Sequence, residues 1–406
     1  MQQPSLETIM NHNKKNYQNY RKQTQRVRGG LVRSQFGETS EAIFMNSGYV
    51  FESAEEAQAR FAGEKDGYLY SRYGNPTVST FEERLSLNEN AESCFATSSG
   101  MAAVFNSLMC CLNSGDEVVS SWSLFGSCYH IFDQILPRFG IKTHLIDGTD
   151  LKEWDKHINE KTKCVFIETP SNPTMEIIDI EAVSKIAHQH NALVIVDNIF
   201  ASPILQKPIQ WGADVVVYSG TKHIDGQGRS IGGAILSSKN YYEEFLKPFL
   251  RHTGPTISPF NAWILLKGIE TLEFRMLRHC DNALKVAKYL LNHPKIQNTI
   301  YPGLDNHPQF DLATKQMIKG GSVVTFTIKN DNAFNFINGL NLFDISNNLG
   351  DTKSLVTHPA TTTHRIIGEE GRKKLKISNN MVRLSLGLED VEDLIEDIDH
   401  SLKLVQ

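Results

Sequence analysis

The sequence lacks any run of the ~20 consecutive apolar residues that a membrane-spanning helix requires. Its first 13 residues also lack the apolar core of a secretory signal, so we expect a cytoplasmic protein. Neither sign of charge is in large excess, with 41 Lys and Arg residues against 46 Asp and Glu residues. Because nucleic acids and membrane surfaces bind basic faces, this balance argues against both partners and favours small-molecule substrates.

Cysteine is scarce, with six residues in 406, and no two of them form a Cys-x-x-Cys pair. No clustered histidines stand at the spacing of zinc ligands, so we predict no metal site. The thiols lie mostly within apolar runs, which indicates the reduced, buried cysteines of a cytosolic protein. A Gly-Lys-Ser/Thr phosphate loop is absent. The glycines at 226–233 have the wrong spacing for a dinucleotide loop, and we expect them to turn the backbone sharply.

Short β-branched runs alternate with helical periodicity from about residue 63 onward. Several runs are apolar on both faces, as strands of a buried parallel sheet are, and they cover residues 117–120, 143–146, 164–168, 193–197 and 215–219. Between two of these runs, residues 180–191 carry one apolar stripe, which predicts a crossover helix. The pattern predicts a large α/β domain over residues 63–258.

The pattern changes after Pro255. It predicts a long helical segment over 259–291, strands over 321–329 and 381–387, and an acidic final helix over 389–404. These elements predict a smaller α+β domain over residues 259–406.

The start of the chain differs in composition from both predicted domains. Residues 1–28 are polar and basic, with few apolar anchors. They are either a frayed terminus or an arm that orders against another subunit. We assign residues 1–62 to this N-terminal arm and an intersubunit segment.

Two polar side chains follow neighbouring predicted strands. Asp197 ends the strand at 193–197, and Lys222 comes three residues after the strand at 215–219. In α/β sheets, ligands bind beyond the carboxyl ends of the strands. Asp197 taken alone also fits a helix N-cap. A desolvated lysine, however, has a depressed pKa and forms a Schiff base with a carbonyl. An acid and a lysine together match pyridoxal phosphate (PLP), whose ring nitrogen is kept protonated by a carboxylate.

A phosphate cradle is predicted at residues 96–103, where small residues run from a short strand into a helix. Backbone N–H groups at such a helix start bind anions. The hydroxyls of Ser219 and Thr221 are further donors. Taken alone, Ser99 and Gly100 also fit an ordinary helix N-cap.

Several segments together resemble the PLP-dependent enzymes of transsulfuration, the Cys/Met metabolism family. The matching segments, in family order from about residue 29 onward, are 70–77 (YSRYGNPT), 99–102 (SGMA), 168–174 (ETPSNPT), 196–198 (VDN), 219–223 (SGTKH) and 383–389 (RLSLGLE). The resemblance implies a PLP domain of the aspartate-aminotransferase type (fold type I) with a mostly parallel sheet. It also implies a homotetramer built as a dimer of dimers.

The resemblance also implies roles for single residues. Lys222 would be the Schiff-base lysine and the mobile acid and base, and Asp197 would pair with the ring nitrogen. Asn172 would hydrogen-bond the ring hydroxyl, and Phe125 would stack on the ring. The phosphate would be bound by Gly100, Met101, Ser219 and Thr221, with Tyr70 and Arg72 of a neighbouring subunit.

The substrate would be held by Arg383, whose guanidinium fork suits the α-carboxylate, with Tyr70 and Asn348 beside it. Taken singly, Arg72 and Arg383 also fit surface salt bridges.

Three departures help to choose within the family. Phe125 stands where a tyrosine is usual, so no phenol transfers protons there. Ser127 stands where methionine γ-lyases carry a cysteine, which argues against a lyase. Asn348 replaces a common serine, which leaves any role of its side chain open. The segments 223–229, 350–355 and 358–364 are most similar to those of sulfhydrylases that act on O-succinylhomoserine.

This subgroup implies a γ-replacement in methionine biosynthesis, in which O-succinyl-L-homoserine and sulfide give L-homocysteine and succinate. Arg229 or Arg365 would bind the succinyl carboxylate. The alternatives are cystathionine γ-synthase, O-acetylhomoserine sulfhydrylase and, with less support, a methionine or cystathionine γ-lyase. A non-catalytic regulatory protein with this fold is a remote alternative, because it predicts loss of Lys222.

Overall fold

A large sheet occupies the first half of the chain in the computed structural model, which describes residues 16–329 and 332–405. Its strands are β1 (Ser93–Thr97), β2 (Glu117–Ser121), β3 (Lys142–Ile146), β4 (Thr162–Glu168), β5 (Leu193–Asp197), β6 (Val215–Ser219) and β7 (Gly233–Ser237). The spatial order is β1-β7-β6-β5-β4-β2-β3. The pairs between β3 and β6 are parallel, and β7 runs antiparallel to both of its neighbours. This confirms the predicted α/β class with a mostly parallel sheet.

Both faces of the large sheet are covered. Val194 and Val196 of β5 pack into one apolar core, whereas Ile195 between them packs into another. Successive strand residues point to opposite faces, so strands buried on both sides must be apolar throughout. This explains why these runs are continuous in the sequence.

Helices connect the strands and cover the sheet. Those before residue 258 are Lys22–Arg28, Ala54–Ala62, Pro76–Glu89, Gly100–Met109, Gly126–His130, Leu151–His157, Ile180–Gln189, Ser202–Leu205, Lys239–Tyr241 and Lys247–Thr253. Shorter or irregular helical turns are Ile131–Ile135, Leu136–Phe139, Pro208–Trp211, Gly220–Ile224 and Tyr242–Leu246. Among the described residues, none of the helices is both long and apolar enough to cross a bilayer.

A second, smaller sheet follows. Its strands are β8 (Ile296–Ile300), β9 (Val323–Ile328), β10 (Asp344–Ile345), β11 (Leu355–Thr357) and β12 (Met381–Ser385), in the order β10-β11-β12-β9-β8. The helices of this part are Pro259–Glu270, Leu272–Leu291, Phe310–Gln316, Ala333–Gly339, Gly368–Lys374 and Val391–Leu404. The predicted segment at 259–291 is thus two helices that meet at Thr271.

The helix Leu272–Leu291 belongs to two cores. Met276 packs with the core under the large sheet, and Val286 packs with the core of the small sheet. Leu265, on the preceding helix, also packs with the first core. The boundary at residue 259 stays a prediction, and this packing favours a boundary further along the chain.

The part of the N-terminal arm that is described packs on its own chain. The helix Lys22–Arg28 places Arg26 against Asn88, to whose side-chain oxygen its Nε donates at 2.8 Å. Arg26 also pairs with Glu273. Residues 22–28 are therefore neither a frayed end nor an arm that is ordered only by another subunit. Residues 1–15 of the predicted arm lie outside the described residues.

Candidate active site

The predicted acid and lysine meet at the carboxyl edge of the large sheet. Strands β4, β5 and β6 are neighbours and parallel, so their carboxyl ends lie side by side. Asp197 at the end of β5 is paired in register with Glu168 at the end of β4. Lys222 follows β6 in the irregular turn Gly220–Ile224. The edge therefore carries two carboxyl groups and one amine.

Asp197 is buried, and few hydrogen bonds or charges around it stabilise its ionised carboxylate. Its Oδ1 accepts a hydrogen bond of 3.1 Å from the Ile199 backbone N–H, and burial raises the pKa of Asp197 to about 7. Side-chain atoms of Cys128, Glu168 and Asp197 all lie within 4.8 Å of one another. Within the described part of the chain, no lysine or arginine forms an ion pair with Glu168 or Asp197. A cationic group, such as a protonated ring nitrogen, fits this environment.

Lys222 is held in a conformation outside the helical region, with φ −91° and ψ −125°. Its Nζ donates a hydrogen bond to Oδ1 of Asn348. Burial, and then the charge of Arg383, lower the pKa of Lys222 to about 8. The neutral amine, which is the nucleophilic and basic form, is therefore accessible near neutral pH.

The segment predicted as a phosphate cradle lies where Gly100 opens the helix Gly100–Met109. A Cβ on Gly100 would lie 2.5 Å from Cβ of Ser219, so the close approach of these two segments requires glycine. The Ser219 hydroxyl makes no hydrogen bond within the described part of the chain and remains a donor. Thr221 lies two residues further on, whereas Met101 packs against the apolar core.

Arg383 on β12 reaches the same edge from the small sheet. It is 1% exposed, and its Nη2 donates to the backbone oxygens of Asn347 and Asn348, both at 3.0 Å. Its Nη1 donates to Oδ1 of Asn172 at 3.0 Å, and its Nε has no partner in the described chain. Burial lowers the pKa of Arg383 to about 10. A buried cation without a carboxylate partner is costly, so this guanidinium fits an anionic ligand group.

Two residues escaped the sequence-based prediction of roles. Glu168 joins the site through the backbone N–H groups of Phe125 and Asn172, which its carboxylate accepts at 2.7 and 2.9 Å. Its signal was available, because β4 ends in an acid just as β5 does. His364 is buried beside the site, where burial and the charge of Arg383 lower its pKa to about 4. No spacing pattern in the sequence marks it.

Tyr70 and Arg72 are not brought to Lys222 or Asp197 by any hydrogen bond of the described chain. The Arg72 guanidinium donates to the backbone oxygen of Arg251 and lies 4.6 Å from the ring centroid of Tyr73. Tyr70 is 42% exposed. Their predicted contribution to a neighbouring subunit's site stays a prediction.

The edge as a whole fits PLP and an amino-acid substrate. A pair of carboxyl groups without a cation complements the ring nitrogen, and a helix start with a free hydroxyl complements a phosphate. The buried guanidinium complements a carboxylate.

Comparison with known proteins agrees with this geometry. The family model described as "Cys/Met metabolism PLP-dependent enzyme" matches residues 23–403. An O-succinylhomoserine sulfhydrylase of Mycobacterium tuberculosis is 53% identical over 382 residues, covering 93% of this chain and 94% of the relative. An L-methionine gamma-lyase of Fusobacterium nucleatum subsp. polymorphum is 40% identical over 386 residues, covering 94% of this chain and 98% of the relative.

A crystal structure from Campylobacter jejuni, described as an O-acetylhomoserine (thiol)-lyase, superposes with a TM-score of 0.91. It is 34% identical and covers 95% of this chain and all of its own. That structure carries an N'-pyridoxyl-lysine-5'-monophosphate.

Proposed function

Because the chain belongs to the Cys/Met metabolism PLP-dependent enzyme family, we propose that it converts O-succinyl-L-homoserine and sulfide to L-homocysteine and succinate. The family makes the chain a PLP-dependent enzyme of fold type I. The observation that carries the substrate choice is the 53% identity with an O-succinylhomoserine sulfhydrylase over almost the whole chain. Ser127, at the position where methionine γ-lyases carry a cysteine, argues in the same direction.

The residues of the edge have distinct parts in this reaction. PLP, when bound, withdraws electrons from the α-carbon of the amino acid. Asp197 holds the ring nitrogen protonated, and Arg383 binds the α-carboxylate. The neutral amine of Lys222 removes protons from the α- and β-carbons and returns them, which a pKa near 8 permits at neutral pH.

The succinyl carboxylate needs a cation, and the two candidate arginines differ. The guanidinium of Arg229 is engaged by Asp225, with an ion pair of 2.9 Å and a further hydrogen bond of 3.2 Å to the backbone oxygen of Asp225. Arg365 is exposed and forms no ion pair within the described chain. We assign the succinyl carboxylate to Arg365.

The loop that carries Arg365 lies against the start of the helix Gly126–His130, which follows Phe125. A Cβ on Gly126 would lie 2.5 Å from the backbone oxygen of Thr363 and 3.2 Å from Cγ2 of Ile366. Arg365 lies between these two residues in the sequence, so its loop packs beside Gly126, the residue that follows the predicted ring-stacking Phe125. A leaving group that extends out of the site would meet this loop.

The test compares the succinyl, acetyl and phospho esters of homoserine with sulfide as the second substrate. We expect the succinyl ester to give the highest kcat/KM. Arg365→Gln should raise KM for the succinyl ester by about 10- to 100-fold and leave the acetyl ester unchanged, since only the former carries the extra carboxylate. Arg229→Gln is the matched control and should change neither ester selectively.

Three outcomes would contradict the proposal. Equal losses for both esters in Arg365→Gln would remove Arg365 from acyl recognition. A preference for the acetyl ester would transfer the protein to the O-acetylhomoserine sulfhydrylases. Much faster formation of cystathionine from cysteine would make it a cystathionine γ-synthase.

We further propose a cytoplasmic homotetramer built from two dimers. In each dimer, both active sites would be completed by residues of the other chain. The support is the segment over residues 31–75, which carries large exposed apolar side chains. Val50 is 97% exposed, Phe36 is 85% exposed, and the helix Ala54–Ala62 contains no buried residue. Several large exposed apolar side chains on one segment are typical of surface that a protein partner covers. A second copy of the chain would cover it and supply Tyr70 and Arg72.

A further inference from the structure

Glu168 ties together two loops that carry predicted cofactor contacts. Its Oε2 accepts the Phe125 backbone N–H at 2.7 Å, and its Oε1 accepts the Asn172 backbone N–H at 2.9 Å. Phe125 lies in the loop after β2, and Asn172 lies in the loop after β4. Both oxygens of one carboxylate are therefore used, and each fixes the backbone of a different residue at the site.

The surroundings of Glu168 are costly for a carboxylate. The side chain is buried beside Asp197 and the thiol of Cys128. Burial, and then the charge of Asp197, raise the pKa of Glu168 well above its usual range, while the two backbone N–H groups oppose this rise. A glutamine or an apolar residue would avoid this desolvation cost. Within the described chain, the hydrogen bonds that compensate for the burial of Glu168 come from the backbone N–H groups of Phe125 and Asn172.

A second link joins the same two loops without touching Phe125 or Asn172. The hydroxyls of Ser123 and Thr174 lie 3.1 Å apart and form a hydrogen bond. Holding the loops together thus does not by itself require Glu168. What Glu168 adds is the placement of two particular backbone N–H groups.

We propose that Glu168 is a positioning residue for the cofactor, which sets where Phe125 stacks and where Asn172 presents its side-chain amide. The amide of Asn172 has its oxygen engaged by Arg383 at 3.0 Å, so its NH₂ group is the part left to face the ring hydroxyl. Glu168 acts through these two residues, whose backbone N–H groups it accepts. This inference rests on the proposed roles of Phe125, Asn172 and Asp197.

The test measures PLP binding to the apoprotein, with no amino-acid substrate present. Glu168→Ala removes both acceptors and should raise the PLP dissociation constant about 10- to 100-fold, with a shifted absorption maximum of the bound cofactor. Glu168→Gln keeps one acceptor oxygen but turns an NH₂ group toward the other N–H, so its affinity should fall between those of Glu168→Ala and wild type. Ser123→Ala is the matched control and should keep the wild-type affinity and spectrum.

Thermal unfolding of the apoproteins separates positioning from stability. A purely structural Glu168 would lower Tm in both Glu168 variants and leave the PLP affinity and spectrum of the folded protein unchanged, which would overturn the proposal. Wild-type affinity in Glu168→Gln would also overturn it, since two acceptors would then be unnecessary. Because no ester or sulfide enters the measurement, these outcomes are independent of the proposed substrate.

Discussion

The two sides of the candidate site differ in how completely one chain builds them. On the inner side, Asp197, Lys222 and Arg383 stand on or directly after strands, are largely buried and have identified neighbours. On the outer side, the segment over residues 31–75 leaves apolar side chains exposed and places Arg72 against a backbone oxygen of its own chain. The inner side is fixed by the core of a single chain. We expect the outer side to need a partner chain before it contributes to a site.

The largest expected effect tests the inner side. Lys222→Ala should lower kcat by about 10⁴-fold or more, because it removes both the amine that attaches PLP and the base that moves protons. The same variant should keep the wild-type assembly in sedimentation analysis. Loss of assembly would mean that the inner side of the site also determines subunit association.

Lys207 provides a matched control for this substitution. Burial lowers its pKa to about 8 as well, but its Nζ donates to the backbone oxygen of Asn88, and within the described chain it forms no ion pair with Asp197 or Glu168. Lys207→Ala should lower stability and retain turnover. If Lys207→Ala abolished turnover in the folded protein, a lowered pKa would not distinguish the lysine of the site from a structural lysine.

A smaller effect tests whether the outer side serves a neighbour. Arg72→Ala should weaken PLP binding by about 10- to 100-fold, because a charged hydrogen bond to the phosphate is lost. Refolding it together with Lys222→Ala should restore activity. If Arg72 acts across subunits, about a quarter of the sites in the randomly mixed dimers combine both wild-type residues.

The mixed refolding experiment also has a decisive negative result. If Arg72 completed the site of its own chain, every site would lack one of the two residues. Activity would then stay at the level of the separate variants. That result would remove the proposed asymmetry between the two sides.

The smallest expected effect concerns the assembly itself. Val50→Asp and Phe61→Asp should each weaken subunit association by about tenfold, because they introduce a charge where a partner would bury apolar surface. Ile345→Asp is the control, since Ile345 is 65% exposed, like Phe61, but lies on β10 of the small sheet. Sedimentation analysis would measure the dissociation of each variant. Equal dissociation of all three variants would contradict the proposed surface.

The same contrast explains what the sequence could predict. Strands β5 and β6 were predicted with their observed limits, because continuous β-branched runs have few alternatives in a buried sheet. Strand β7 was missed: its first residue belongs to the glycines expected to turn the backbone, yet Gly233 begins a strand. The conformation of a glycine depends on tertiary contacts, here the close approach of Ser99.

Some residues of the candidate site could be predicted from the sequence and others could not, as with the strands. Asp197 and Lys222 stand at or just after strand ends, as their places in the sequence predicted, and their roles stay predictions. Glu168 received no role from the sequence, because the role that we propose for it depends on which backbone N–H groups turn toward it. The burial of Arg383 and the choice between Arg229 and Arg365 depend on three-dimensional neighbours that no local pattern records. The outer segment was recognised only through the family resemblance.

The helix Leu272–Leu291, which packs with one core at Met276 and with the other at Val286, has a consequence for how the length of the chain can vary. Successive residues of an α-helix are rotated by about 100° around the helix axis, since a turn holds 3.6 residues. Inserting or deleting one residue between these two positions would rotate one set of contacts away from its core. Surface loops can absorb such changes, but this helix has its residue count fixed from both ends.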